Sequence, residues 1–185
     1  MGESVKELFI QYLESPSPEA FERLRRATAA SPQYNPYSDG SSRANALVGE
    51  GKFEEALDFI GSLMPGWIMN PSVHMLASFA HHKLGREKEA EFEAMFCAAL
   101  IDGILATGDG SKAKPYKVMY VRDEYDVLEH LGKKWTGQAL VGGSVPMDEM
   151  TCEDGTVLFL DISAPMAALG RRVNRAGRKW WQFWK

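Results

Sequence analysis

The chain has 185 residues, of which 45% are hydrophobic and 25% charged, with a net charge of −4; these proportions exclude a disordered chain and suit one core of ordinary size. No window reaches the roughly 20 apolar residues of a membrane span, and MGESVKELFIQYLESP lacks the apolar run of a signal peptide, so we expect a cytoplasmic protein with Cys97 and Cys152 as reduced thiols. Charge is uneven: residues 1–170 hold 15 basic and 25 acidic side chains, net −10, whereas residues 171–185 hold six basic and none acidic.

In chain order, VKELFIQYL is followed by SPSPEAFERLRRATAA, where Ser17 and Pro18 read as the N-cap and first residue of a helix. Phe21 and Leu24 keep the helical spacing of apolar residues. The segment ASPQYNPYSDGSS then breaks the pattern and reads as a packed connector anchored by Tyr34 and Tyr37. Next come GKFEEALDFI from Gly51 and GREKEAEFEA from Gly85, whose glycines are 34 residues apart, as are Ala56 and Ala90. That spacing is the tetratricopeptide period, with matched units at about 37–70 and 71–104. It places the small residues Ala44 and Ser78 where paired helices cross, and the glycines at the turn after each first helix. Two units are fewer than the three or so that a free-standing array needs, so other elements must cover the ends.

FEAMFCAALIDGILAT continues as a long helix, after which the pattern changes. YKVMYV (116–121) reads as a strand, RDEYDVLEHLG as a short helix ended by Gly132, and QALVGG, VPMDEMTC and TVLFLDIS as strands. Glu153, Asp154 and Gly155 supply a hairpin turn. In the short helix, Tyr125, Leu128 and Leu131 are expected to form the buried stripe, with Glu129 and His130 outward. The expected fold class is α+β: a tetratricopeptide-like helical stack (1–107), a small antiparallel β unit with one inserted helix (108–165), and a basic aromatic tail (166–185).

The strings GDGSKAKPYKVMYVRDEYDVLEHLG, TGQALV and LFLDIS, with YNPY at 34–37, resemble a family of bacterial proteins known only as a domain of unknown function. Its members join a tetratricopeptide-like helical part to a GDG turn, a DEYxxLxxLG segment and a closing strand ending in FD or LD. The resemblance covers about residues 20–163. It implies the fold and no activity.

The chemistry-bearing residues read mostly as structure. Gly108-Asp109-Gly110-Ser111-Lys112 lacks the GxxxxGK[ST] spacing of a phosphate loop and precedes a strand; Asp109 is expected to cap its own turn. Asp123, Glu124 and Asp126 open a helix, where carboxylates meet favourable partial charge. His74, His81 and His82 lack the spacing and acidic partners of a zinc site. No Ser or Cys lies in a nucleophile motif. We therefore expect no catalytic residues, metal or cofactor.

The tail GRKWWQFWK carries three of the five Trp. If helical, it aligns Trp180 and Trp184 with Val173 while Arg171, Arg175 and Arg178 line the flank. Folding back on the acidic body, docking on a protein, and lying on an anionic membrane all fit these residue types. Nucleic acid is disfavoured, because a −10 body repels phosphate. The function expected is a non-catalytic interaction or adaptor protein with an unknown protein partner, docking through Arg175, Arg178, Lys179, Trp180, Trp181, Phe183 and Trp184. The alternative is a ligand-binding protein or enzyme whose site gathers Asp109, Asp123, Glu124 and Gln138 between the helical and β parts. A further alternative is peripheral membrane association through the tail.

Overall fold

The computed structural model describes residues 3–182, with side chains through residue 172. It starts with two helices, α1 (Val5–Glu14) and α2 (Pro18–Ala30). Ser4 and Glu7 cap α1 reciprocally: the Glu7 amide donates to Ser4 Oγ and the Ser4 amide to the Glu7 carboxylate. Ser17 Oγ accepts from the Ala20 amide with Pro18 in the first turn, as the sequence predicts.

Four helices follow: α3 (Gly40–Gly49), α4 (Phe53–Leu63), α5 (Pro71–Lys83) and α6 (Glu87–Leu105). Gly51 and Gly85 take φ of 74° and 72° directly after α3 and α5, a backbone that glycine adopts without the strain of a Cβ. Ala44 and Ala56 are completely buried, and Ser78 Oγ donates to the Ala90 carbonyl at 2.8 Å. α1 and α2 join this layer through α6, with the Tyr12 hydroxyl donating to the Ala99 carbonyl and Phe21 lying over Gly103. A Cβ at Gly103 would stand 2.3 Å from the Phe21 ring, so only glycine lets the two helices approach this closely.

The β part has strands β1 (Tyr116–Lys117), β2 (Trp135–Val141), β3 (Met147–Cys152) and β4 (Val157–Asp161), with α7 (Val121–His130) between β1 and β2. The order is β1-β4-β3-β2. β2, β3 and β4 are antiparallel, whereas β1 pairs in parallel with β4, Tyr116 opposite Leu160. The sheet is therefore mixed, where a purely antiparallel unit was expected. Gly155, at φ 81°, turns the β3–β4 hairpin. The strand expected over 116–121 is only two residues long: Val118, Met119 and Tyr120 leave the sheet fully buried and lead into α7. A last helix, α8 (Ser163–Gln182), begins where Asp161 accepts from the Ser163 amide. The fold is α+β, with one hydrophobic cluster running from Phe9 and Phe21 in the helices to Met150 and Leu160 in the sheet.

Candidate functional site

α7 stands between the helical layer and the sheet and carries three carboxylates with three different environments. Asp123 is completely buried. One of its oxygens accepts from the Met119 and Tyr120 amides at 2.9 and 3.0 Å, and the other accepts from the Asn70 side-chain amide at 2.9 Å. Asn70 is itself the N-cap of α5, its carbonyl oxygen accepting from the Val73 amide. One carboxylate thus ties the entry of α7 to the entry of α5. Burial pushes the Asp123 carboxyl up to about 8, and nearby Asp126 adds to this, against the three donors that favour its charged form.

Around this knot the aromatic residues of the connector and helical part close in. Tyr120 stacks on Trp67, meets Tyr34 edge-on, and donates its hydroxyl to the Gly66 carbonyl at 2.7 Å. The Tyr34 hydroxyl donates to the Met119 carbonyl. Tyr34 is a buried anchor as expected; Tyr37 is more than a third exposed.

Glu124, also buried, points to the sheet. The Gln138 amide bridges it to Asp148, donating to the two carboxylates at 3.1 and 2.8 Å, while the Tyr125 hydroxyl donates to the Gln138 carbonyl at 3.0 Å. Burial, then the neighbouring Asp148, raises the Glu124 carboxyl to about 8, a group that holds its proton at neutral pH. Asp148 has no counterpart among the residues expected from sequence. Only the β2–β3 register, which sets Leu140 opposite Asp148, brings it near.

The expected ligand set is therefore only partly assembled. Glu124 and Gln138 touch, Asp123 faces away into the α5 knot, and Asp109 is exposed in its own turn. Asp109 accepts from the Ser111 amide, while the Asp109 and Gly110 amides donate to the Lys114 carbonyl. The expected buried stripe of Tyr125, Leu128 and Leu131 is corrected: Asp123, Glu124, Val127 and Leu128 form it, while Tyr125 and Leu131 are half-buried. Glu129 and His130 are exposed as expected.

The third carboxylate, Asp126, faces a groove. Its two oxygens accept from Ser72 Oγ at 2.7 Å, and Arg122 Nε donates to it at 2.9 Å. The groove, of about 500 Å³, is lined by residues of α3, α5, α6 and α7, among them Asn45, Met75, Ile101, Arg122, Asp126 and His130. Met75 is 52% exposed, an apolar side chain open to anything entering. Cys97 also lines it; burial pushes its thiol up to about 11, and Asp126 and Glu129 add to this, which favours the thiol over the thiolate.

His74 has an acidic partner, supplied by another helix and not by its own face. Its Nδ1 lies 2.6 Å from the Glu93 carboxylate of α6 and its Nε2 2.8 Å from the Ile68 carbonyl. It clamps α5 to α6, and periodicity along α5 alone does not reveal it. Among the described residues, no three His, Cys, Asp or Glu side chains are gathered as metal ligands. The expected docking residues of the tail from Arg175 onward have side chains outside those described.

No family model, curated protein or solved structure matches this chain.

Proposed function

We propose that the protein is a non-catalytic interaction protein whose helical part is a short tetratricopeptide-like stack and whose groove accepts an extended segment of a protein partner, with the C-terminal tail as a second docking element. The observation that carries this reading is the division of labour on α7. The carboxylates facing the core and sheet are held in internal hydrogen bonds, whereas the open face beside them is a groove with an exposed methionine and polar walls. Such a surface suits a peptide main chain with apolar side chains: hydroxyl and amide groups from Ser42 and Asn45 can meet its backbone, and Met75 adapts to varied side chains. The 34-residue spacing of Gly51 and Gly85 and the contacts of α3 with α4 and α5 support a repeat-like stack. The resemblance to the bacterial family belongs to this proposal and adds no activity to it.

Selection of a displayed random-peptide library on the full chain tests the reading. Enriched peptides should share a pattern and lose at least about tenfold in affinity on Met75→Asp, with the melting temperature unchanged. Failure to enrich any pattern, or binding indifferent to Met75→Asp and Asn45→Ala, would remove the groove from the proposal.

A second reading, a small-ligand site, is favoured by the Glu124–Gln138–Asp148 bridge, where a carboxyl held protonated lies beside the exposed Gln138. Calorimetric titration with small-molecule pools, compared between the wild type and Gln138→Ala, separates this reading from the first.

A further inference from the structure

β2 is an outer strand of the sheet: it pairs with β3 on one side, and among the described residues no strand pairs with its other side. Which of its main-chain groups face outward follows from the alternation of an antiparallel ladder. The Cys152 amide donates to the Thr156 carbonyl and the Ile162 amide to the Pro146 carbonyl. Even-numbered residues of β3 therefore turn their main-chain groups to β4, and Met147, Glu149 and Thr151 turn theirs to β2. Their partners in β2 are Val141, Ala139 and Gly137, which leaves the N–H and C=O groups of Gln138 and Leu140 pointing away from the sheet. Such an edge is a template for another strand unless charge or proline blunts it. WTGQALV has neither, and the lysines before it, Lys133 and Lys134, pair with Asp154 and Glu153 of their own chain.

The side chains along this edge are placed for a particular neighbour. The irregularity between Trp135 and Gly137 sets Trp135 opposite Cys152, while Gln138 opposes Met150 and Leu140 opposes Asp148. Trp135, Gln138 and Leu140 thus stand at equal steps on one face, which carries the buried Met150 and Cys152. The same face meets α7, through Trp135 against Tyr125 and Gln138 against Glu124. α7 covers it only in part: Trp135 is 49% exposed, and Leu140, at 65%, is the most exposed large apolar side chain among the described residues.

We infer that β2 pairs antiparallel with β2 of a second copy of this chain, about a two-fold axis through Gln138, joining two four-stranded sheets into one. The equal spacing selects a copy over an unrelated strand. Antiparallel pairing about Gln138 sets Trp135 of each copy opposite Leu140 of the other, so the two exposed apolar side chains cover each other twice. No like charges meet across the pairing, because β2 carries none. Gln138 of the second copy then stands beside the Glu124–Gln138–Asp148 bridge. The contact falls at the low end of specific interfaces, about 1,200 Å² or less, so the dimer is weak and its population depends on concentration. It makes no use of the groove around Met75.

The experiment is sedimentation velocity of the full chain over a concentration series, with amide hydrogen exchange followed by NMR on the same samples. A monomer–dimer equilibrium is expected. Exchange at Gln138 and Leu140 should slow as concentration rises, while that at Ala139, already bonded to β3, does not change. Leu140→Lys should raise the dimer dissociation constant about tenfold or more without lowering the melting temperature of the monomer. Leu140→Pro removes only an outward N–H and should act in the same way; if it lowers the melting temperature, Leu140→Lys decides. Met75→Asp should leave the dimer intact. A chain that stays monomeric up to about 1 mM overturns the inference. So does a dimer indifferent to Leu140→Lys, or one in which the Gln138 and Leu140 amides exchange as fast as in the monomer. Protection of those amides by an added peptide, in a chain that stays monomeric, also overturns it and gives the edge to a foreign strand.

Discussion

Asp123 and Asp126 lie one turn apart on α7, and they teach opposite lessons about what a carboxylate in a helix is for. Asp123 is sealed in the junction, its oxygens taken by two backbone amides and one side-chain amide. Asp126 lies at the edge of the groove, where Ser72 and the half-exposed Arg122 reach it from the open side. The first is a joint between two helix entries. The second helps to shape a surface. Residue type and spacing are the same in kind, and only the neighbours brought by the fold distinguish them.

The largest effect expected from this contrast is that of Asp123→Ala, which strands three buried donors at once; it should cost about 4 kcal/mol in urea unfolding. A loss below about 1 kcal/mol would mean that the junction has solvent enough to replace the carboxylate. A second test uses pH. The Glu124 carboxyl has its folded pKa raised from 4.5 to about 8, so the folded state holds the proton more tightly than the unfolded state. Its contribution to stability is complete below 4.5 and is lost as pH rises towards about 8. Asp123, also raised, acts in the same direction. Urea midpoints should therefore fall across that window, and Glu124→Gln should flatten the slope; an unchanged slope would show that Glu124 is already ionised in the fold. The smallest effect is that of Asp126→Asn, which keeps the shape and an acceptor for Ser72 and Arg122 and should cost about 1 kcal/mol or less. A cost equal to that of Asp123→Ala would erase the distinction between joint and surface.

Local signals in the sequence carried much of the fold. The Ser17–Pro18 start of α2, the glycine turns at 51 and 85, and the Asp154–Gly155 hairpin are each set by residues within a few positions of one another. What sequence reading missed involves partners far apart in the chain. β1 pairs with β4 across α7 and two other strands, so its two residues gave no length from which to judge them. Asp123 and Glu124 looked like first-turn acids because helix position explains them fully; their burial depends on Asn70, Gln138 and Asp148. The groove had no signature at all, since Ser72 and Asp126 meet only through the stacking of α5 on α7. Of the ligand set read from sequence, one contact, Glu124 to Gln138, was assembled.

The parallel pairing of β1 with β4 also sets an order of events during synthesis. The chain delivers α5 and α7 before any of β2, β3 or β4, so Asn70 and Asp123 can meet while the sheet is still unmade. Glu124 must wait, because Gln138 and Asp148 come later in the chain. Tyr116 gains its ladder partner Leu160 only when the final strand emerges. A nascent chain held just short of Trp135 would therefore have its helical joint closed and its second acid still without Gln138 and Asp148, and β4, the last strand to leave the ribosome, would be the one that joins β1 to β3.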